Sequence, residues 1–456
     1  MEQLQKSIPF WIIILCLLIS LAGISNHDLW TPDEPREAAI ALQMSRSGKI
    51  IIPELAGKPF VEKPPLYYIL TGKSLVFLGI FLGKTAALRL TSALFGLGTL
   101  GMTWLLVRRL LNGRLATFSM LILATTPGFM HVTHWILVDN ALVFFVVAAL
   151  WSFVEVYKGN RLGFLPLAGV FTAFAFLSKG FIGPMIILPG WLALVIPWLR
   201  TQWSQCTCKL RVFYMHIIAF LAFASIALWW LIAFRIQAGP ELWHEWFWVN
   251  HFGRFTGNAV NLGHINGPFY YLGSLFLYLL PWALIIVFGI VRLIVRICRR
   301  EVLRMPWLFL LCWGFGGLLF LSLSATKREI YLIVLLPAFA IMTALLLEEL
   351  YSLWFQRVLY IWLLLLFIAL GSLAVAPVCG RTIRELAGNW NILNAIAAAG
   401  LFAGILILKQ KKLTFLERWF AGAAVAYISF FSVIFPAIDT VKSYQTAFCE
   451  MTEAVA

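Results

Sequence analysis

Residues 28–66 read DLWTPDEPREAAIALQMSRSGKIIIPELAGKPFVEKPPL, the longest polar interval in the first part of a very apolar chain. The stretch opens on adjacent carboxylates, Asp33 and Glu34, with Arg36 close behind, and closes on Glu62-Lys63-Pro64-Pro65. An apolar segment at about 8–26 leads directly into it. A polar stretch delivered by a hydrophobic one is expected at a membrane surface, because backbone in the hydrocarbon must be helical and internally satisfied. The loop is therefore expected to hold the chemistry while the rest of the chain holds the loop.

Composition agrees. The 456 residues are 62% hydrophobic and 12% charged, against about 25% charged in soluble domains. Apolar runs of about 18 or more residues recur, each long enough to span a bilayer at 1.5 Å per residue. The expected fold class is an all-α polytopic membrane protein of about 13 transmembrane helices, one integral membrane domain over 1–456 with no soluble C-terminal domain. The net charge of +15 does not indicate nucleic acid. Its basic residues fall in short loops of one side, the positive-inside bias, and no polar domain carries a basic patch. The seven cysteines show no CxxC or His/Cys spacing and are expected as free thiols. Lys6 precedes the first apolar core but no small-x-small site follows, so an uncleaved first helix is expected.

With the N-terminus inside, spans are expected at about 8–26, 87–107, 115–130, 140–157, 162–178, 181–199, 212–234, 269–291, 306–323, 330–347, 358–377, 391–408 and 417–435. The basic clusters around Arg109, Arg161, Arg211, Arg299 and Lys411 then fall on one side. The other side receives the first outer loop, 27–86, with 66–85 as an interfacial or re-entrant helix, and a second long loop at 235–268. A short loop near Arg381 and a C-terminal tail lie there too.

Several charges break that rule. Arg36, Lys63, Lys179, Arg254 and Lys327 lie on the outer face. Each alone reads as an anchor snorkelling to the headgroups. Together with Asp33, Glu34, Glu62 and Asp139 they read as a mixed-charge pocket for an anionic headgroup, in which cations grip phosphate oxygens and keep carboxylates ionised. Asp33 also reads as a helix N-cap, and Pro64-Pro65 as a rigid helix start. Trp243, Trp246 and Trp248 read as an interfacial belt, and His244 and His264 as interfacial. His131-x-x-His134 lacks a third metal ligand.

The run from DEPREAAIAL to VEKPPLYYIL resembles the first outer loop of the aminoarabinose transferase family, within the protein O-mannosyltransferase-like group of GT-C enzymes. Later landmarks are similar as well: Arg89-Leu90, Asp139, LSKG at 177–180, NHFGRF at 250–255, PFYY at 268–271, LPW at 280–282, and the Ser324, Lys327, Tyr331, Pro337 series. The resemblance covers about 8–345. It implies a GT-C fold and a glycosyltransferase that moves a pentosyl or hexosyl unit from a polyprenyl-phosphate carrier on the periplasmic face of the inner membrane. The implied acceptor is a lipid A-type glycolipid, another envelope glycan or a protein. It further implies that Asp33 is the catalytic aspartate, with Glu34 beside it. Arg36, Lys63, Arg254 and Lys327 would surround the donor phosphate near Tyr331, and Asp139 and Lys179 would line the same cavity. Glu62 and His251 match positions implicated in binding a divalent metal. The chain departs from the family at its end, where those enzymes carry a soluble domain, and this leaves sugar and acceptor open.

The chemistry stands without the family. Glycosyl transfer passes through an oxocarbenium-like state while negative charge grows on the leaving phosphate. Preorganised cations stabilise that charge, and a carboxylate can orient the nucleophile or take its proton. The competing class is a transporter or flippase for a lipid-linked or anionic substrate. It should show repeated halves and midplane charges, whereas the charges here cluster at one face.

Overall fold

The computed structural model describes residues 8–201, 209–258, 265–301, 303–350, 352–379 and 390–442. Cys206, Cys208, His264, Arg381, Cys449 and the expected C-terminal tail lie outside the described residues. Among the described residues ten helices are long and apolar enough to cross a membrane, or eleven if one pair bent by 67° counts as a single span.

The chain opens with α1 (Phe10–Leu18) and passes through the first loop's helix α2 (Asp33–Ser47) to α3 (Leu66–Leu82) and α4 (Lys84–Leu110). The bent pair follows, α5 (Gly113–Ala124) and α6 (Pro127–Thr133), broken where Pro127 starts a new helix. Then come α7 (Asp139–Tyr157), α8 (Leu165–Lys179), α9 (Ile182–Thr201) and α10 (Lys209–His244). The later long helices are Ala283–Cys298, Leu336–Leu350, Leu353–Cys379, Trp390–Lys409 and Phe415–Lys442.

Two of the expected spans fall short of a crossing. The first apolar helix, α1, extends only as a 3-10 turn to Leu21. The segment expected over 269–291 divides into Tyr270–Tyr278 and Ala283–Cys298, interrupted by Pro281, which has no N–H for a helical ladder.

The core is built by α7 and the span Glu329–Leu350, each more than four-fifths buried over its apolar window, as expected of helices that are apolar all round. Small residues let others approach closely. A Cβ at Gly169 would lie 2.0 Å from the Ala219 carbonyl oxygen, so α8 and α10 touch backbone to backbone. At the end away from the first loop, Arg109–Glu155, Arg114–Glu348 and Arg296–Glu349 join helix ends that the charge pattern places on one side. Cys16, Cys298 and Cys312 are free thiols.

The first loop is ordered. Helix α2 starts after Pro32 and stops at Gly48, whose left-handed φ of 68° lets its N–H reach the Met44 carbonyl. A hairpin follows, β1 (Glu54–Leu55) against β2 (Lys58–Pro59), turning on Ala56 and Gly57, both at positive φ. Pro64-Pro65 then launches α3. That helix has 17 residues, about 25 Å at 1.5 Å per residue, less than a bilayer's hydrocarbon core of about 30 Å.

The second long loop, expected over 235–268, is mostly helix. Helix α10 runs to His244 with a kink at Gly239 (φ 69°), where Pro240 restarts it, and π-helical winding covers Glu245–Gly253. Aromatic packing stabilises this segment: Trp246 is 1% exposed among Phe176, Phe181, Trp230 and Phe234. Trp246 is therefore core, not belt, whereas Trp248 is exposed.

Candidate active site

The site begins with a buried pin. Arg89 of α4 is fully buried and donates to both oxygens of Glu34 at 2.8 Å. Its remaining N–H groups reach the carbonyls of Ile24, His27 and Asp28. Glu34 also accepts from the backbone N–H of Trp30 and Ile136. This saturates Glu34 and corrects its expected catalytic role: the side chain turns away from the cavity and fixes the chain entering α2. From the far end of the sequence, the Asp439 carboxylate accepts from the Asp28 N–H and the Trp30 indole, both at 2.9 Å.

Helix periodicity then puts Asp33, Arg36 and Glu37 on one side of α2. Asp33 is not the expected N-cap: it is the first residue of the helix, and Pro32 holds the cap position. Its Oδ1 accepts from Arg36 at 2.9 Å and from Arg328 at 3.2 Å, and its Oδ2 from Arg328 at 2.5 Å. Glu37 is fully buried beneath and accepts from Lys63 at 2.7 Å, Arg36 at 2.9 Å and the Tyr68 hydroxyl at 2.6 Å. Asp139, at the start of α7, pairs with Lys179, at the end of α8. Lys179 Nζ also stands 3.9 Å from the centroid of the Tyr331 ring, a cation–π contact. Arg254 pairs with Glu62 at 3.1 Å.

The order of Lys327 and Arg328 is settled by backbone. After a bend at Ser324-Ala325, residues 326–328 run extended, with Ala325 and Thr326 donating to the carbonyls of Phe255 and Arg254, and Thr326 bridged to Ile265. Successive side chains of an extended chain point to opposite sides. Lys327 turns away, donating to the carbonyls of Asn266 at 3.0 Å and Ser324 at 2.5 Å. Arg328 turns in. Lys327, expected among the cations around the donor phosphate, therefore lies outside the cavity, and Arg328 lines it instead.

These groups line one cavity of about 350 Å³, in which Asp33, Glu62 and Asp139 face Arg36, Lys63, Lys179, Arg254 and Arg328, with Tyr331 alongside. A second, partly apolar cavity adjoins it through Glu62, Lys63, Lys179, Arg254, Thr326 and Tyr331, and adds Ile182, His251, Phe255, Phe320 and Leu321. Burial alone would raise the Asp33 carboxyl, but the Arg328 hydrogen bond and charge, aided by Arg36 and Lys63, hold it below the usual carboxylate range. Glu37 behaves likewise: burial opposes ionisation, and Lys63 and Arg36 overcome it.

His251 faces the second cavity with Nδ1 bonded to the Trp246 carbonyl at 2.7 Å, so Nδ1 donates and Nε2 keeps a free pair. The ring lies so close to Gly180 (φ 67°) that a Cβ there would fall 2.2 Å from Nε2. Glu62 is held by Arg254, and among the described residues no group of three His, Cys, Asp or Glu converges. Glu62 and His251 thus do not by themselves build a cage for a divalent ion. His131 and His134 bond to the Tyr278 hydroxyl and the Met130 carbonyl respectively.

Fold and site together define a multi-pass membrane protein with the GT-C fold, carrying a cation-rich cavity at one end of the bundle. Residues 62–230 match the family described as dolichyl-phosphate-mannose-protein mannosyltransferase. An undecaprenyl phosphate-α-4-amino-4-deoxy-L-arabinose arabinosyl transferase of Shewanella sediminis is 28% identical over 75% of this chain and 59% of its own. The enzyme of that name from Edwardsiella ictaluri is 30% identical over 74% of this chain and 58% of its own. The chain thus spans less than three fifths of these curated relatives' length. ArnT from Cupriavidus metallidurans, solved with undecaprenyl phosphate, superposes with a TM-score of 0.71 at 22% identity, over 95% of this chain and 77% of that one. The chain is thus similar to aminoarabinose transferases over about three quarters of its length, matches the protein mannosyltransferase family over 62–230, and shares the fold of ArnT.

Proposed function

We propose that this protein is a membrane glycosyltransferase that moves a sugar from a polyprenyl-phosphate carrier to an acceptor at the periplasmic face of the inner membrane. The acceptor is a lipid A-type glycolipid, another envelope glycan or a protein. The observation that carries the reading is the cavity in which five cations face three carboxylates, with Glu37 buried below. Counting Glu37, the site keeps one positive charge in excess, which matches the single negative charge of a sugar phosphodiester. As the bond from sugar carbon to phosphate oxygen breaks, the electron pair stays on the phosphate and its charge grows. Cations already in place stabilise that growth without reorganising. The oxocarbenium-like sugar is then captured by an acceptor oxygen, and the proton of a hydroxyl acceptor passes to the departing phosphate, directly or through water.

Asp33 is better suited to positioning than to taking that proton. Arg36 and Arg328 engage both of its oxygens and hold it ionised. Its work is to set two guanidinium groups against the phosphate and to orient the acceptor. A phosphate acceptor, already ionised, needs no base at all. The adjoining cavity, with Phe255, Phe320 and Leu321, suits the first prenyl units of the carrier. The relatives named for undecaprenyl phosphate aminoarabinose support a carrier of that kind.

The test is reconstitution in vesicles with undecaprenyl-phosphate-linked sugars and candidate acceptors, with products read by mass spectrometry. Transfer that falls about 10²-fold or more in Asp33→Asn is expected, the scale of losing one preorganised electrostatic element. Undiminished transfer in that variant would overturn the role of Asp33. Cysteine labelling of the 28–66 loop from the cytoplasmic side alone would overturn the orientation.

A further inference from the structure

Helix α2 has a second face, opposite Asp33, that the proposed chemistry does not use. Its Pro35, Ala38 and Leu42 look across a furrow toward Leu75 of α3 and Leu88 of α4. The groove is about 760 Å³, twice the size of the anion cavity and within the range of pockets that hold a small ligand. Gly79 keeps it open, since a Cβ there would meet only Leu75 of its own helix.

We propose that this groove binds one anionic glycerophospholipid of the surrounding bilayer, its phosphate between Arg46 and Lys84 and an acyl chain along Leu42, Leu75 and Leu88. Two independent observations carry this. The first is charge. Five of the loop's carboxylates are engaged elsewhere: Asp33 by Arg36 and Arg328, Glu34 by Arg89, Glu37 by Lys63, Glu54 by Lys49, and Glu62 by Arg254. Arg46 and Lys84 line the groove, and neither has a carboxylate partner among the described residues. No Asp or Glu lines it. The second is placement. Val76, Phe77, Ile80 and Phe81 form a stripe on α3 that is 56–88% exposed, a surface that the lipid tails of a bilayer cover favourably. A free phosphate would leave the apolar furrow empty, and the prenyl carrier's phosphate has its own cavity on the other side of α2. A bound lipid braces the helix that carries Asp33 and Arg36.

The experiment reads lipid occupancy and does not depend on sugar transfer. The full chain, purified in neutral detergent, is incubated with dioleoyl-phosphatidylglycerol or dioleoyl-phosphatidylcholine and examined by native mass spectrometry. One retained phosphatidylglycerol and no retained phosphatidylcholine are expected. Arg46→Gln with Lys84→Gln lowers retention about 10–30-fold, the weight of two cations at a membrane surface. Gly79→Leu, which fills the furrow and keeps both charges, abolishes it. Equal retention of the two lipids, or undiminished phosphatidylglycerol in the double variant, overturns the proposal. So does undecaprenyl phosphate that binds through Arg46 and Lys84. Should the variants not fold, phosphatidylglycerol with a photoactivatable acyl chain is crosslinked to the unaltered protein. Labelling within 75–88 supports the groove, and labelling elsewhere overturns it.

Discussion

Arg328 and Lys327 are neighbours in sequence with opposite orientations, and that contrast yields the sharpest test of the site. Arg328→Gln removes one of five cations lining the cavity and two hydrogen bonds to Asp33, at 3.2 and 2.5 Å. A unit charge about 5 Å from the leaving phosphate contributes about 3 kcal/mol at an effective dielectric constant of about 20, roughly 10²-fold in rate. The loss also leaves Asp33 less compensated beside that phosphate, which pushes the effect toward about 10³-fold. Lys327→Gln instead removes hydrogen bonds to two backbone carbonyls outside the cavity. It should cost about 1–3 kcal/mol of stability and change kcat less than about threefold. The assay is the initial rate of transfer in proteoliposomes, with binding of undecaprenyl phosphate measured in parallel by thermal shift. Equal rate losses in the two variants, or a greater loss in Lys327→Gln with its melting unchanged, would refute the alternation on which the site is built.

Glu34→Gln and Arg89→Ala should act on folding. Truncating Arg89 strands a buried carboxylate and costs about 3–5 kcal/mol, read as a large drop in melting temperature, whereas Glu34→Gln leaves KM for the donor near that of the parent. Acid should destabilise the loop late. Asp33 and Glu37 both have depressed folded pKa values, so their contribution is complete above the ordinary carboxylate range of about 4 and is lost as pH falls through the lower folded values. Melting temperature followed against pH should therefore fall only below that range, and a decline that begins near pH 6 would contradict the pairing. Asp439→Ala should reduce kcat by loosening the residues ahead of α2, while Asp439→Asn, which keeps an acceptor for Asp28 and Trp30, should restore most of it.

Much of the fold was legible because a bilayer imposes long apolar helices and sorts basic residues, and those two rules located most of the helices. The site was legible in part. Asp33, Arg36, Lys63, Asp139, Lys179, Arg254 and Tyr331 do meet in one cavity. Glu37 escaped notice because it stands inside an Ala-rich helix, although its spacing of four from Asp33 placed it on the same side. Lys327 was named from its outer-face position and the resemblance, and Arg328 was missed because a helix end says nothing about which of two adjacent side chains an extended segment turns inward. Glu34 was read with Asp33 because adjacency in sequence suggests shared work, whereas neighbours on a helix point about 100° apart. The loop over 235–268 looked polar enough to be irregular, yet its tryptophans and phenylalanines pack on one another and sustain a kinked helix.

The tie between Asp439 and the loop has a consequence for biosynthesis. Asp28 and its acceptor are separated by 411 residues, and Trp30 and the same carboxylate by 409. At about 5–20 residues per second the ribosome needs roughly 20–80 s to cover that distance. For that interval the first loop is already made but lacks its tie to Asp439. The nascent chain therefore carries an unbraced first loop until the helix Phe415–Lys442 is inserted, and the cavity that the loop lines is completed only then.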